Sequence, residues 1–172
     1  SSLINACGKL DNGDVAMAFC LGSSKAKEEA EKIYGERKKQ IIEGLNYIKN
    51  LKSKIEGKDY VIYNCKDMIR DSVIGTILSI LAFSFLYPAG NVLIGMAYRD
   101  DGKIKVSARI TKKSNGINKR EINLKDIVNT ACENAGIDGE SGGHANAAGC
   151  LVPVLSEEKF INAIQQELQR TK

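Results

Sequence analysis

Lys103-Ile104-Lys105-Val106-Ser107-Ala108-Arg109-Ile110 alternates strictly between polar and apolar side chains. Side chains of a β-strand point alternately to opposite faces, so this period of two predicts a strand whose apolar residues face a core. The polar residues would share the other side of the sheet, away from that core: Lys103, Lys105, Ser107 and Arg109. Arginine there suits planar, bidentate contact with phosphate, but an ordinary solvated face is an equally simple interpretation.

This strand opens the most basic segment of the chain. The net charge is only +4 over 172 residues, but residues 103–125 hold eight basic residues against one acidic residue, eight minus one, or +7. The basic residues are Lys103, Lys105, Arg109, Lys112, Lys113, Lys119, Arg120 and Lys125. Such local charge is typical of a phosphate-binding face, and a solvated, lysine-rich hairpin is the alternative interpretation.

A glycine-rich stretch further along contains the only histidine: Ser141-Gly142-Gly143-His144-Ala145-Asn146-Ala147-Ala148-Gly149. Glycine adopts positive φ readily and leaves its N–H open to a ligand, and consecutive N–H groups in a turn can form an anion-binding concavity. An imidazole beside such a turn can donate a hydrogen bond to a phosphate oxygen. A tight turn with a partly exposed histidine is the alternative interpretation.

Shorter patterns around these two stretches indicate an α/β fold. Runs of β-branched and aromatic residues predict strands over 60–63, 92–98 and 150–155. Apolar stripes with capping residues predict three helices: from Asp71 or Ser72 to about Leu86, from Asn123 to Gly136, and after Ser156. Together these elements predict a small mixed β-sheet of about four to five strands with packed helices.

A long helix is predicted ahead of this unit, over residues 24–58. Ser24 is a suitable N-cap, and an apolar seam recurs every seven residues: Tyr34, Ile41, Ile48 and Ile55. A free-standing helix of this length would leave the seam exposed, and the seam also fits a dimerising coiled coil. In either case we expect the chain to self-associate through it.

Three segments of the chain resemble a known family. Gly142-Gly143-His144 followed by Ala148-Gly149 resembles the signature loop of the DHHA1 domain of DHH-family phosphoesterases. Leu3-Ile4-Asn5-Ala6-Cys7-Gly8-Lys9-Leu10 is similar to the segment that closes the DHH domain of RecJ exonucleases, and its Asn-Ala-Cys-Gly form is similar to the archaeal branch. Lys105-Val106-Ser107-Ala108-Arg109 resembles the Ser-x-Arg strand of DHHA1. Lys9 departs from the family's usual arginine, and the two cations are not interchangeable.

The resemblance implies a division of the chain and a function. Residues 1–22 would be the end of a DHH domain, 23–58 a connecting helix, and 59–172 the DHHA1 domain that binds nucleic acid. The whole protein would be a RecJ-like exonuclease that hydrolyses phosphodiester bonds with two divalent ions, Mn²⁺ or Mg²⁺, in the DHH domain. Because His144 is the only histidine, the chain cannot contain an Asp-His-His motif. We therefore expect it to have no metal site, no other cofactor and no hydrolytic activity of its own.

The resemblance also implies which residues contact the substrate. Gly142, Gly143 and His144 would contact the phosphate near the catalytic centre, and Arg109, beside Ser107, would hold a neighbouring phosphate. Asn146 would contact a sugar or a base edge. Four lysines would add attraction at longer range: Lys103, Lys105, Lys112 and Lys113.

Other functions stay open at this point. A phosphodiesterase for very short oligonucleotides or cyclic dinucleotides would share the fold, as would a non-catalytic replisome scaffold that associates with the GINS complex. An unrelated α/β module with a chance Gly-Gly-His is the remaining alternative. The expected partners are single-stranded DNA or RNA and the DHH domain, with roles in DNA repair or replication.

Composition and apolar patterning bear on the cellular compartment of the protein. The start of the chain is polar and lacks a secretory signal, and the longest apolar stretch, 73–87, is short for a bilayer span and interrupted by small polar residues. Five scattered cysteines without a Cys-x-x-Cys pair argue against a zinc site and a disulfide framework. We predict a cytoplasmic protein with no membrane partner.

Overall fold

Two units make up the chain, 1–46 and 47–172. The computed structural model describes residues 2–84, 86–111, 122–138 and 141–170. In the first unit, α1 (Ser2–Lys9) and α2 (Gly13–Cys20) precede α3 (Ser24–Asn50). A small apolar core joins these helices: Ala6, Cys7, Ala30 and Ile33.

The long helix is shorter than the sequence predicts. It ends at Asn50, and Ile55–Glu56 forms a short strand, β1, that pairs antiparallel with the next strand at Ile62 and Val61. Ile55 therefore belongs to the edge of the sheet and not to the helical seam. Tyr34 remains 42% exposed, whereas Ile48 is buried. Self-association through the rest of the seam stays a prediction.

The second unit is built on a mixed sheet, which confirms the α/β class. Its strands are β1, β2 (Tyr60–Asn64), β3 (Val92–Tyr98), β4 (Lys103–Ile110), β5 (Ser141–His144) and β6 (Ala147–Pro153). Their order is β1-β2-β3-β4-β6-β5, and only β2 and β3 are parallel. The described sheet has six strands and not four to five, because the two edge strands, β1 and β5, lie in segments predicted as helix and loop.

One face of the sheet carries the larger core. Ile104, Val106 and Ala108 of β4 are completely buried there, as the alternation predicts. They pack with α5 (Leu124–Asn134) and α6 (Glu157–Arg170). The Asn123 side chain accepts a hydrogen bond from the Lys125 N–H, which confirms the predicted N-cap. Strand β6 begins earlier than predicted and ends at Pro153, and a 3₁₀ turn over Val154–Ser156 then leads into α6.

The other face is covered by α4 (Asp71–Phe83), the crossover between the parallel strands β2 and β3. The helix begins at Asp71 after Arg70, whose side chain makes no capping bond, so the predicted cap at Asp71 or Ser72 is wrong. It also ends at Phe83, before the predicted Leu86. No described helix is long and apolar enough to cross a membrane.

Helix α4 approaches the sheet most closely at Gly95. A Cβ at this position would lie 2.8 Å from Cγ1 of Ile74 and 3.0 Å from Cδ1 of Leu78. The helix consequently covers the polar side of β4 as well, and Ser107 is only 5% exposed. This side of β4 does face away from the larger core, as predicted, but it is not fully exposed to solvent, because α4 buries Ser107 and Arg109 is half-buried.

We predict that Gly95→Ala destabilises the second unit by about 1–3 kcal/mol, because the added methyl group overlaps the α4 side chains. The free energy of unfolding in denaturant measures this change. Gly35→Ala is the matched control, since a Cβ at Gly35 meets nothing within 4 Å. In the interior of α3 that substitution should be neutral or stabilising. A Gly95→Ala chain as stable as the parent would contradict the packing described here.

Candidate functional site

Arg109 is the half-buried cation at the centre of the candidate site. Its Nε donates to Oγ of Ser79 on α4 at 3.0 Å, and its Nη1 donates to the carbonyl oxygen of Ala108 at 2.8 Å. Both acceptors are neutral, and within the described ranges no carboxylate lies at ion-pair distance from the guanidinium. Burial lowers the pKa of Arg109 below its usual value, but an arginine keeps its charge at neutral pH. Among the described residues, the site therefore holds a cation without an ion-pair partner.

The sheet register brings His144 and Gly142 to the same side as Arg109. Ala147 of β6 pairs with Arg109 on one side and with His144 on the other. Gly149 pairs in the same way with Ser107 and Gly142. Cross-strand partners share a face of the sheet. Two parallel rows of residues therefore cross this face from β4 through β6 to β5, and each row spans roughly 10 Å.

We call this surface the Arg109 face: Arg109, Ala147, His144, Gly149 and Gly142. Helix α4 packs on β3 and β4, while Ala147 and Gly149 of β6 stay half-exposed, and His144 and Gly142 of β5 are exposed. The Arg109 face is thus a shallow surface that α4 borders along one side. Because β5 is an edge strand, alternate N–H groups along it point away from the sheet, and the described residues offer them no backbone acceptor.

The glycines of β5 and β6 differ in why a side chain is missing, and Gly143, which pairs with the buried Ala148, lies on the opposite face of the sheet from Gly142 and Gly149. Gly143 has φ +140°, and a Cβ there would lie 2.3 Å from the Ala147 carbonyl oxygen. A Cβ at Gly149 would lie 2.6 Å from the Val106 carbonyl oxygen. A Cβ at Gly142, in contrast, would meet nothing within 4 Å. Packing within the described chain therefore does not require glycine at position 142, and the space above it is open.

The remaining predicted residues are spread around this face. Asn146 is exposed in the turn between β5 and β6, and its carbonyl oxygen accepts from the Ile110 N–H at 3.3 Å. By strand alternation Lys103, exposed, and Lys105, half-buried, lie on the same side of β4 as Arg109. Ser107 lies beneath α4. Lys112 and Lys113 lie outside the described residues.

Two residues of α4 were missed by the sequence analysis. Ser79 accepts the hydrogen bond from Arg109, and a Cβ at Gly75 would lie 3.4 Å from Nη2 of Arg109 and 3.3 Å from Oγ of Ser107. Gly75 and Ser79 occur one helical turn apart in a largely apolar helix. That spacing was a usable signal, because residues at i and i+4 share a helix face.

The described residues do not fit a metal centre. No group of three histidine, cysteine, aspartate or glutamate side chains among them could hold an ion.

A comparison with protein families identifies the second unit. The DHHA1 domain family matches residues 57–170, well over half of the chain. A comparison with curated proteins found no match.

Solved structures share the fold at low sequence identity. RecJ from Thermus thermophilus, in complex with Mg²⁺, superposes with a TM-score of 0.72 at 16% identity, over 99% of this chain and 25% of that protein. An exonuclease RecJ bound to manganese gives 0.70 at 18% identity, over 99% and 40%. A DHH domain from a member of the S1P family of ribosomal proteins gives 0.54 at 15% identity, over 96% and 35%. The chain thus spans a quarter to two fifths of the length of these proteins.

The geometry of Gly143 gives a direct prediction. Gly143→Ala should destabilise the β5–β6 hairpin by about 1–3 kcal/mol, because its φ is unfavourable for alanine and the methyl group overlaps β6. The unfolding free energy and the amide exchange rates of β6 measure the effect. Gly142→Ala, where a Cβ meets nothing, should leave both unchanged. Equal effects of the two substitutions would show that the hairpin geometry is wrong.

Proposed function

We propose that this chain, which belongs to the DHHA1 domain family, binds single-stranded nucleic acid for a RecJ-like, metal-dependent exonuclease. The phosphodiester hydrolysis itself would take place on two divalent ions held by a DHH domain. This chain would hold the strand and present it. The two RecJ structures contain Mg²⁺ and manganese respectively, which is consistent with that division of labour.

The observation that carries the proposal is that the Arg109 guanidinium has no anionic partner in the part of the chain that the structure describes. Taking a cation partly out of water is costly unless an anion compensates it. Both groups that hold the guanidinium are neutral, so an anion from outside the described residues would compensate its charge. A phosphate is the suitable anion, because the guanidinium presents donors in a planar fork that matches two phosphate oxygens.

The rest of the Arg109 face suits a phosphodiester backbone. Gly142 allows close approach because nothing projects from it, and the exposed His144 supplies a hydrogen-bond donor in the same row as Arg109. Lys103 and Lys105 extend the positive charge along β4. Asn146, in the exposed turn, would contact a sugar or a base edge. Contacts of this kind recognise the backbone, so we expect binding that tolerates changes of sequence.

Several finer assignments remain proposals. We further propose, from the resemblance, Mn²⁺ or Mg²⁺ as the ions of the DHH domain, an archaeal origin and roles in repair or replication, and, from the composition, a cytoplasmic location. Association with GINS or another replisome protein is the scaffold alternative. No described feature of the Arg109 face favours a protein partner over a polyanion.

Binding of labelled single-stranded oligonucleotides tests the proposal. Arg109→Ala should weaken binding by about tenfold or more, since a charge-assisted contact is lost, and His144→Ala should weaken it by a smaller factor. Fluorescence anisotropy at low and moderate salt measures both, and the salt dependence should become shallower in Arg109→Ala because one phosphate contact is lost.

Arg170→Ala is the matched control. It removes the same charge from α6, on the opposite side of the sheet, where the Arg170 side chain is 69% exposed and pairs with Glu167. Binding should be almost unchanged. Oligonucleotide length separates the alternatives: full affinity for two or three nucleotides favours a short-substrate phosphodiesterase, and a gain with length favours an exonuclease. Parent-like binding by Arg109→Ala would contradict the proposal.

A further inference from the structure

The guanidinium of Arg109 is held in place from α4. Ser79 accepts the hydrogen bond from Nε, and the Ser79 hydroxyl in turn donates to the Gly75 carbonyl oxygen at 2.8 Å. A hydroxyl has one hydrogen, and this one is used by Gly75. The lone pairs of Ser79 Oγ are therefore left for Arg109, and such a chain of hydrogen bonds strengthens each of its members.

A second hydrogen bond also restrains the Arg109 guanidinium. Nη1 donates to the carbonyl oxygen of Ala108, so two of the three guanidinium nitrogens are fixed by acceptors on different elements, α4 and β4. Nη2 lies beside Gly75, where a Cβ would stand only 3.4 Å away. Gly75 therefore lies at van der Waals distance from this end of the guanidinium.

The chemical nature of the groups that accept hydrogen bonds from Arg109 matters as much as their position. A carboxylate at position 79 would hold the guanidinium equally well but would also neutralise it. A hydroxyl fixes the orientation and leaves the charge for a ligand. The Arg109 side chain then loses its conformational freedom when the chain folds and not when a ligand binds, and this favours affinity.

We infer that Ser79 is a positioning residue that orients Arg109 toward a phosphate on the Arg109 face, with the Gly75 carbonyl oxygen anchoring the Ser79 hydroxyl. This inference rests on the proposed function, since it assumes that Arg109 binds the anion. Ser79 itself does not contact the ligand. Its effect on binding must therefore pass through Arg109.

The first test observes the contact without any ligand. In the ¹⁵N spectrum of the 172-residue chain, the Arg109 Nε–H signal is assigned by its disappearance in Arg109→Lys. In the parent this proton should exchange slowly with water, because it is half-buried and hydrogen-bonded. Ser79→Ala should accelerate its exchange, whereas Ser79→Thr and Ser79→Asp should keep it protected. Unchanged exchange in Ser79→Ala would overturn the inference.

The second test is a double-mutant cycle on oligonucleotide binding. Ser79→Ala should weaken binding about fivefold, as expected for one neutral hydrogen bond, and should have no further effect in the Arg109→Ala background. Ser79→Thr should bind within about twofold of the parent because it keeps the hydroxyl. The Ser79→Asp chain should bind the oligonucleotide more weakly than the Ser79→Ala chain, although the Arg109 Nε–H stays protected in Ser79→Asp.

Ser84→Ala is the control for loss of a serine near α4. The Ser84 hydroxyl donates to the Leu81 carbonyl oxygen and makes no contact with Arg109, so neither readout should change. An equal effect of Ser79→Ala with and without Arg109 would overturn the positioning role. If Arg109→Ala binds like the parent, the proposed function fails, and the exchange measurement still decides whether Ser79 holds Arg109.

Discussion

The close contact between α4 and the sheet determines most of what the second unit can do. Gly95 lets the helix lie against β3, where a Cβ would overlap Ile74 and Leu78. At this separation Ser107 becomes buried, and Ser79 reaches the guanidinium of Arg109. A helix held further away would leave Arg109 as an ordinary solvated side chain. The packing thus creates a fixed, partly desolvated cation beside an open glycine surface.

Strand alternation predicted part of this arrangement. It correctly gave β4, its buried apolar face and the shared side of Lys103, Lys105, Ser107 and Arg109. It did not predict that a helix covers that side, because the period of two is the same for a solvated face and for one packed against a second layer. The prediction missed the two edge strands, β1 and β5, for local reasons. Ile55 fits a heptad seam as well as a strand, and glycines at 142 and 143 are usually read as a turn.

The candidate site itself depended on information beyond composition. The resemblance supplied Gly142, Gly143, His144 and Arg109, and the register then put Gly142, His144 and Arg109 on one face of the sheet. Ser79 and Gly75 were visible in the sequence only as small residues interrupting an apolar run. Their role becomes readable once the crossover helix is placed over β4, because the contact joins residues thirty positions apart.

The Arg109 face is expected to contact a phosphodiester backbone, and every other functional assignment depends on that contact. Titration of the ¹⁵N-labelled chain with an unlabelled single-stranded oligonucleotide tests it most directly, by following amide and arginine side-chain shifts. The account predicts that the largest changes occur at the Arg109 guanidinium and along 141–149. Changes confined to the exposed surface of α5 and α6, or to the first unit, would contradict it.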